Sequence, residues 1–441
     1  MRKFVVAIVF VLGAPATALA SGYGVFTQGA SGLGQANAVV AHPTGPSSLY
    51  FNPALLNDVP GRQVEIGTTA IYADRKVKLD SGGSEDSESS WNFPSTFYYT
   101  QQVSDKVAAG LGVFFPFGLS SKWDSDYEGR YIGTEAEMFS ANINPAVSVR
   151  VNDKFSLAVG VDLLYLDTSI KRSVNQEAVA AGLMAMFPEV VAFPLGEMGD
   201  ISQKFEGDGW GLGYNLGALY KINDVISLGF AYRSHIDVTI DGDATFERVH
   251  PDFQEGLSLL GGSIQNTGGD ADIRLPQQVV AGVAVKPNDK WVVEIGVRWE
   301  DWESTDDLTV ELDQPVLGES SVSLPRDWNS TWTYNLGGQY RVNDAVVINA
   351  GYLYGQNAVP SSTFEPLIPD TDAHLFTIGT DLSFGAWTVS GAFGWEHHES
   401  RRKNNVIGDP VTRKAGLVTD TANGDYETEI YLVGVSVGYK F

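Results

Sequence analysis

Apolar and polar residues alternate singly over long stretches of this chain. Near its end, Tyr431, Val433, Val435, Val437, Tyr439 and Phe441 fall on one side, and Leu432, Gly434, Ser436, Gly438 and Lys440 on the other. Successive side chains of a β-strand point to opposite faces, so this period of two predicts a strand with one greasy face. Trp210, Leu212, Tyr214, Leu216 and Tyr220 alternate with Gly211, Gly213, Asn215 and Gly217 in the same way. So do Trp291, Val293, Ile295, Val297 and Trp299 with Glu294, Gly296, Arg298 and Glu300. These runs reach about 12 residues, where a soluble sandwich has strands of about five or six. Trp and Tyr collect at the strand ends, as a girdle at a membrane interface requires.

The punctuation between strands is asymmetric. Asn-Asp recurs at 152–153, 223–224, 288–289 and 343–344, and Ser104-Asp105 and Gly385-Ala386 occupy equivalent places. Asn, Asp and Gly tolerate the left-handed backbone of tight hairpins, so these read as six short turns. Longer polar segments lie between them, near 81–90, 120–134, 171–207, 241–271, 311–326, 357–371 and 400–425. Six turns alternating with seven loops require 14 strands. Short turns on one side and long loops on the other is the pattern of an outer-membrane barrel, with both termini on the periplasmic side.

Composition narrows the class. Arg2 and Lys3, the apolar run Phe4 to Leu12 and the small-residue site Ala18-Leu19-Ala20 read as a secretory signal peptide over 1–20, cleaved after Ala20. No later stretch of about 18 apolar residues follows, so the mature chain is not a helical membrane protein. It has no cysteine, which fits a Gram-negative envelope protein and excludes a disulfide scaffold. The net charge of −25 argues against a nucleic-acid partner. Acid-rich stretches such as Ser84-Glu85-Asp86-Ser87-Glu88 read as a solvated rim beside outer-membrane lipid and lipopolysaccharide. The terminal Phe441, closing an alternating strand, is the kind of signal read by barrel assembly machinery. The chain is expected to be a monomer.

Residues 21–61 do not alternate and are rich in Gly, Ala, Ser and Pro. They form either a periplasmic arm or a hatch folded into the lumen. A 14-strand interior is too wide for wall side chains to fill, which favours the hatch. The domains are therefore a signal peptide at 1–20, a hatch at 21–61 and a barrel at 62–441.

The order of several short segments resembles the FadL-type outer-membrane transporters of long-chain fatty acids, which include aromatic-hydrocarbon relatives. The resemblance spans the mature chain. It rests on Ser31-Gly32-Leu33-Gly34-Gln35-Ala36, Asn52-Pro53-Ala54, Asn144-Pro145-Ala146-Val147 leading to Val151-Asn152-Asp153-Lys154, and Leu275-Pro276 through Trp302. The most specific stretch is Asp327-Trp328 to Tyr340, followed by Val359-Pro360 and Ile368-Pro369-Asp370-Thr371-Asp372. It implies an all-β, 14-stranded antiparallel transmembrane barrel plugged by an N-terminal hatch. It also implies passive uptake: capture at extracellular loops, an internal pocket, hatch rearrangement, and sideways exit at a kinked third strand.

Particular residues carry this expectation. Pro116, within Phe114-Phe115-Pro116-Phe117-Gly118, cannot donate to a ladder and leaves a neighbour's carbonyl unpaired. Inside a membrane wall that is costly, so either a lateral opening forms here or Pro116 lies above the membrane. Asn52, of Asn52-Pro53-Ala54, is expected to meet the kinked strand with its amide, and Tyr23 to reach the inner pocket. An apolar run in the loop 171–207 holds Leu183, Met184, Met186, Phe187, Val190 and Phe193. With Phe246, Phe253, Leu257 and Leu260 of the next long loop it forms a capture groove, or packs the two loops together. By parity Arg233, Arg298 and Arg341 face the lumen and are candidates for a carboxylate head, although Arg298 also has Glu294 and Glu300 beside it. The family's acid ahead of Pro360 is missing from Tyr354-Gly355-Gln356-Asn357-Ala358-Val359-Pro360. That leaves room for a neutral hydrocarbon as substrate, and a general porin is a further alternative. No cofactor, metal site or catalytic group is expected. Adjacent His397 and His398 point to opposite faces, Gly32-Leu33-Gly34 lacks the strand and helix of a nucleotide site, and no Gly-x-Ser-x-Gly occurs.

Overall fold

The computed structural model describes residues 22–441, apart from 306, 307, 325 and 415. The expected signal peptide lies outside the described residues. Fourteen crossings make one closed antiparallel sheet. They are β1 (Arg62–Leu79), β2 (Ser95–Gln102, after short pieces at Ser84–Asp86 and Trp91–Asn92), β3 (Val107–Phe114 and Gly118–Lys122), β4 (Glu135–Asn152) and β5 (Phe155–Val174). Then come β6 (Ile201–Lys221), β7 (Ile226–Arg233 and Ile236–Glu247), β8 (Thr267–Leu275 and Gln278–Asn288), β9 (Trp291–Glu300 and Leu308–Val316) and β10 (Glu319–Leu324 and Thr331–Arg341). The last are β11 (Val346–Gly355), β12 (Ala373–Phe384), β13 (Trp387–His398, then Arg401–Lys403) and β14 (Gly424–Lys440). The cylinder closes between β1 and β14 without a slip, from Gln63 opposite Lys440 to Leu79 opposite Gly424.

The alternation sorts as read. Leu212, Ile295 and Ile378 project outward and are largely exposed on the isolated chain, whereas Leu432, Glu294 and Asn349 on the other parity are buried. Closure leaves no free first or last strand, where a row of unpaired backbone groups in the lipid zone would be costly.

The short turns fall where the sequence places them, but for a different physical reason. Of the six, only Gly385 has a left-handed backbone (φ 62°). At the four Asn-Asp sites the Asn side chain accepts the backbone N–H two residues on, at Lys154, Val225, Lys290 and Ala345, with distances of 2.8–2.9 Å. Each is an Asx turn, so the Asn carbonyl oxygen selects the residue rather than tolerance of positive φ.

Several loops depart from irregular coil. The expected loop at 311–326 is a continuation of the β9–β10 hairpin, turned at Leu317 and Gly318 with φ of 52° and 83°. Segments 171–207 and 241–271 contain helices, Gln176–Met186 and Pro251–Leu259. Segment 357–371 folds inward, burying Ala358, Val359, Phe364, Leu367 and Ile368. At one level across β7–β10 the ladder is also interrupted. The pairs Arg233–Gln278, Gln278–Glu300 and Glu300–Thr331 mark its lower side. Above this break the outer segments of β7–β10 form a separate ladder that walls the outer end of the bore.

Candidate functional site

The wall is breached at β3. Its lower part pairs with β2 as far as Phe97–Val113 and with β4 as far as Phe114–Asn142. Pairing with β4 resumes at Gly118–Phe139, so Phe115, Pro116 and Phe117 oppose only Ser140 and Ala141. Above Phe97–Val113 the described residues of β2 and β3 form no further ladder. A proline cannot donate, and three residues opposite two cannot keep register. The freed groups nevertheless have partners. Ser140 Oγ receives the Phe117 N–H at 2.9 Å and donates to the Phe117 carbonyl at 2.6 Å. Val25 N–H donates to Pro116 O at 2.8 Å, and Gly118 N–H donates to Tyr23 O at 2.9 Å. The Gln28 amide donates to Phe115 O at 2.8 Å and accepts Phe115 N–H at 3.3 Å. Residues 23–28 thus supply, from inside the bore, the neighbour that β2 does not.

Residues 22–60 run inside the cylinder, almost all buried, as two short helical turns (Ala30–Leu33 and Ser48–Phe51) and a 3-10 turn (Pro53–Asp58). The wall holds this segment largely through acceptors. Glu294 takes Val40 N–H at 2.6 Å, Ala41 N–H at 3.0 Å and His42 Nδ1 at 2.7 Å. Asp370 takes Gly22 N–H at 3.1 Å, Asp381 takes Ser31 Oγ at 3.0 Å, and Ser436 Oγ takes Ala30 N–H at 3.1 Å. The expectation that Asn52 meets the kinked strand is overturned. Its Nδ2 donates to Val40 O (2.8 Å) and Ala218 O of β6 (3.0 Å), and its Oδ1 caps Ala54 N–H (3.0 Å). The residue at the kink is Gln28. Pro53 and Ala54 start the 3-10 turn, fixed by that cap. Glu294 does not serve Arg298, as its sequence neighbourhood suggests, because the inner segment claims both its oxygens.

Two chambers flank this segment. The outer one, with about 1160 Å³ of empty space including its mouth, is mainly apolar; Tyr23, Met138, Phe205, Ile240, Ile273 and Leu367 are among its lining. Tyr23 is buried against Trp302 (ring centroids 4.9 Å apart) and Trp328 (5.3 Å). Burial is the main cause that pushes its hydroxyl up to about 12, so it is a neutral hydrogen-bonding group at physiological pH. Arg326 lies at this chamber, ion-paired with Glu365 at 2.6 Å. The inner chamber, with about 610 Å³ of empty space including its mouth, is lined by Asn37, Tyr50, Pro53, Arg233 and Arg298 among others.

The three arginines separate. Arg233 is buried, ion-paired to Asp162 and stacked near Tyr50 and Phe114, with ring centroids at 5.4 and 5.2 Å. Asp162 is held in turn by Asn142 (2.6 Å) and Asn215 (2.8 Å). Arg298 lies 4.8 Å from the Phe26 ring centroid and, among the described residues, makes no side-chain hydrogen bond or ion pair. Arg341 keeps lumen parity but sits exposed beside the short turn at 343–344, remote from both chambers, which removes it from the lumen site.

The loop residues also divide. Leu183, Met184, Phe193, Phe246, Phe253, Leu257 and Leu260 join one apolar cluster between the two loop helices, with the Phe193 and Phe253 rings 5.5 Å apart. Met186, Phe187 and Val190 remain exposed outside it, as do Leu195 and Leu259. Sequence reasoning missed Gln28, Ser140, Glu294 and Asp370, whose partners lie far along the chain. The available signal was a buried-parity acid or amide with no partner on its own strand.

A closed 14-stranded barrel with a broken third strand, two lumen chambers and an occupied bore is an outer-membrane transport barrel. Comparison with known proteins specifies it further. The family model described as outer membrane protein transport protein (OMPP1/FadL/TodX) matches residues 11–441, and the chain belongs to that family. Among relatives, outer membrane protein P1 of Haemophilus influenzae is 23% identical, covering 93% of each chain. The long-chain fatty acid transport protein of Escherichia coli is 22% identical, covering 80% of this chain and 81% of that one. A solved FadL homologue of Pseudomonas aeruginosa superposes with a TM-score of 0.82 at 22% identity, over 96% of this chain and 100% of its own. The toluene transporter TodX of P. putida gives 0.70 at 20% identity, over 94% and 98%. The protein is an outer-membrane transporter of hydrophobic compounds and not an enzyme.

Proposed function

We propose that this chain takes up long-chain fatty acids passively. They are captured at the loop helices, pass through the outer chamber, and leave through the breach at β3 when the plugging segment 22–61 rearranges. The observation that carries the acid over a bare hydrocarbon is Arg298. It lines the inner chamber with no polar partner among the described residues, and nearby Asn37 is buried with both amide atoms unpartnered. An unpaired cation beside a buried, unsatisfied amide is costly unless a ligand meets them. A carboxylate satisfies both, whereas toluene or an alkane satisfies neither. Arg233, neutralised by Asp162, plays the supporting part of fixing Tyr50 and Phe114.

The hydrocarbon reading has its own support in the apolar lining of the outer chamber and the Tyr23–Trp302–Trp328 cluster. The test is uptake by cells lacking their own carriers, supplied with oleate or with toluene. Oleate uptake that Arg298→Gln lowers at least tenfold supports the acid. Toluene uptake indifferent to that change supports the hydrocarbon and sinks the acid.

A further inference from the structure

We infer that Arg75 is the fixed outer jamb of the breach at β3. It spans the place of the missing strand, holds the free edge of β3 from within, and so limits the girth of what passes sideways. The inference rests on the lateral exit proposed above and adds to it a residue that selects by size.

Beyond Phe97–Val113 the backbone of β3 finds partners in place of β2 at successive levels. Gln28 meets Phe115, and Val25 and Tyr23 meet Pro116 O and the Gly118 N–H. Further out, Arg75 meets Ser120 O, and the Glu88 N–H meets Lys122 O at 2.8 Å. Tyr23, Val25 and Gln28 belong to the inner segment and travel with it. Arg75 belongs to the wall: it lies on β1 and pairs with Thr428 of β14 in an unbroken ladder. On its other side β1 is covered by residues 84–87, through Lys76–Asp86 and through the Ser87 N–H on Arg75 O at 2.9 Å. The Arg75 side chain reaches past that cover to the next strand, where Nη1 donates to Ser120 O at 3.0 Å. Two inter-strand spacings are about 10 Å, a span that takes a long side chain.

Arg75 is buried, and among the described residues it forms no ion pair and donates only to Ser120 O. A buried cation without a counter-charge is disfavoured, and an apolar side chain of similar volume would fill the space without that cost. What the guanidinium adds is a charge-assisted bond to a carbonyl that faces no strand. Asp370 and His398 line the same small cavity as Arg75, so an anion entering there would meet an acid, and the cation serves the wall rather than a substrate head. Leu119 and Ile368 line both this cavity and the outer chamber, which sets the bond beside the substrate's route. When residues 23–28 withdraw, the wall stands open from Val113 to Ser120, about 23 Å along the strand. Without Arg75 the next tie is at Lys122, about 7 Å further out, and the edge between is free to splay.

Cells lacking their own carriers express the full chain or Arg75→Met and are offered palmitate and, in parallel, a hexadecanoate carrying a terminal pyrene. Met keeps much of the volume and removes a buried charge, so the variant is expected to fold, as checked by the heat-dependent shift in gel mobility. Uptake of the pyrene acid relative to palmitate should rise severalfold, and hydrogen exchange across residues 118–122 of the purified protein should rise with it. Arg75→Lys keeps a charged donor and should fall between the two, and it carries the same readouts if Arg75→Met does not fold. Raised exchange with an unchanged uptake ratio makes Arg75 a structural tie without selection and overturns the jamb. Unchanged exchange removes the bond's hold on the edge and overturns it as well. Native uptake of palmitate with either of those results leaves the fatty-acid reading standing. Failure of the native chain to take up either acid overturns both.

Discussion

Gln28 and Phe115 are joined by two hydrogen bonds, the side-chain amide of one completing the main chain of the other: Nε2 to Phe115 O at 2.8 Å and Phe115 N to Oε1 at 3.3 Å. A neighbouring strand offers one donor and one acceptor to each residue it faces, and a primary amide offers the same pair. At Phe115 the breach in the wall is therefore closed by a side chain of the inner segment rather than by a strand. Removing that side chain leaves a buried donor and acceptor unmatched, at a cost of about 1–3 kcal/mol for each. Gln28→Leu is expected to keep the barrel and to raise hydrogen exchange at the Phe115 amide and across residues 23–28. Unchanged exchange there would show that the pair contributes nothing to closure.

Glu294 clamps the same segment at its opposite side through Val40, Ala41 and His42. Glu294→Gln loses the charge that strengthens all three contacts and replaces one acceptor with a donor facing another donor. Residues 40–42 should become accessible to exchange, and planar-bilayer recordings should show transient openings that the native protein lacks. Deleting residues 21–57 takes the idea to its limit. The pore should then conduct ions steadily, while selective uptake falls. Conductance equal to that of the intact chain after the deletion would remove the plug from the mechanism.

Much of this architecture was open to sequence reading because each barrel strand lies between two environments. Lipid on one side and a polar bore on the other write a period of two into every segment, as at Trp210–Tyr220 and Tyr431–Phe441. The Asn of each Asn-Asp turn is equally local, its oxygen reaching only two residues along. The contacts that make the site are not local. Gln28 and Phe115 are 87 residues apart, and His42 and Glu294 are 252 apart. No periodicity encodes such pairs, so parity placed Glu294 correctly in the lumen and then assigned it a neighbour on its own strand. Asn52 was misplaced for the same reason: a three-residue motif reports a local cap, which it forms with Ala54, and not which strand its free amide meets. The loops were read as polar coil because helices there are short and draw their stability from packing on each other, not from a clean amphipathic stripe.

An acidic row crosses five strands outside the aromatic pair Tyr165–Trp210. Asp167 faces Asp208, Asp208 faces Asp241, Asp241 faces Asp270, and Asp270 faces Glu311, all exposed. Like charges directly opposite on neighbouring strands destabilise a sheet. Partial desolvation beside the neighbouring strands first, and then Asp208 and Glu206, holds the Asp167 carboxyl above its ordinary value. A carboxyl whose pKa is higher folded than unfolded binds more protons in the folded state, so its contribution to stability declines as pH rises through that interval. Asp208→Asn should therefore raise the heat-modification midpoint at neutral pH, by the equivalent of roughly 0.2–1 kcal/mol for each relieved pair. The gain should shrink near pH ~4, where the native carboxylates are largely protonated. An equal gain at both pH values would mean that the row's repulsion is not the cause.

Pro116 fixes the break in β3 from the sequence side. Its ring removes one donor, and the two phenylalanines beside it are both buried. Pro116→Ala restores an N–H and relaxes the fixed φ, so the segment gains a route back into register with β2 and β4. The barrel itself does not depend on the proline, since β3 pairs fully below Val113 and again above Gly118 with β4. The variant should fold, run as a heat-modifiable band and bind substrate from outside as before, while uptake into cells falls severalfold. That split between binding and delivery is the signature of a closed lateral exit. Full uptake by a correctly folded Pro116→Ala protein would mean that substrate leaves the lumen elsewhere, and the break in β3 would then serve only to seat residues 23–28 against the wall.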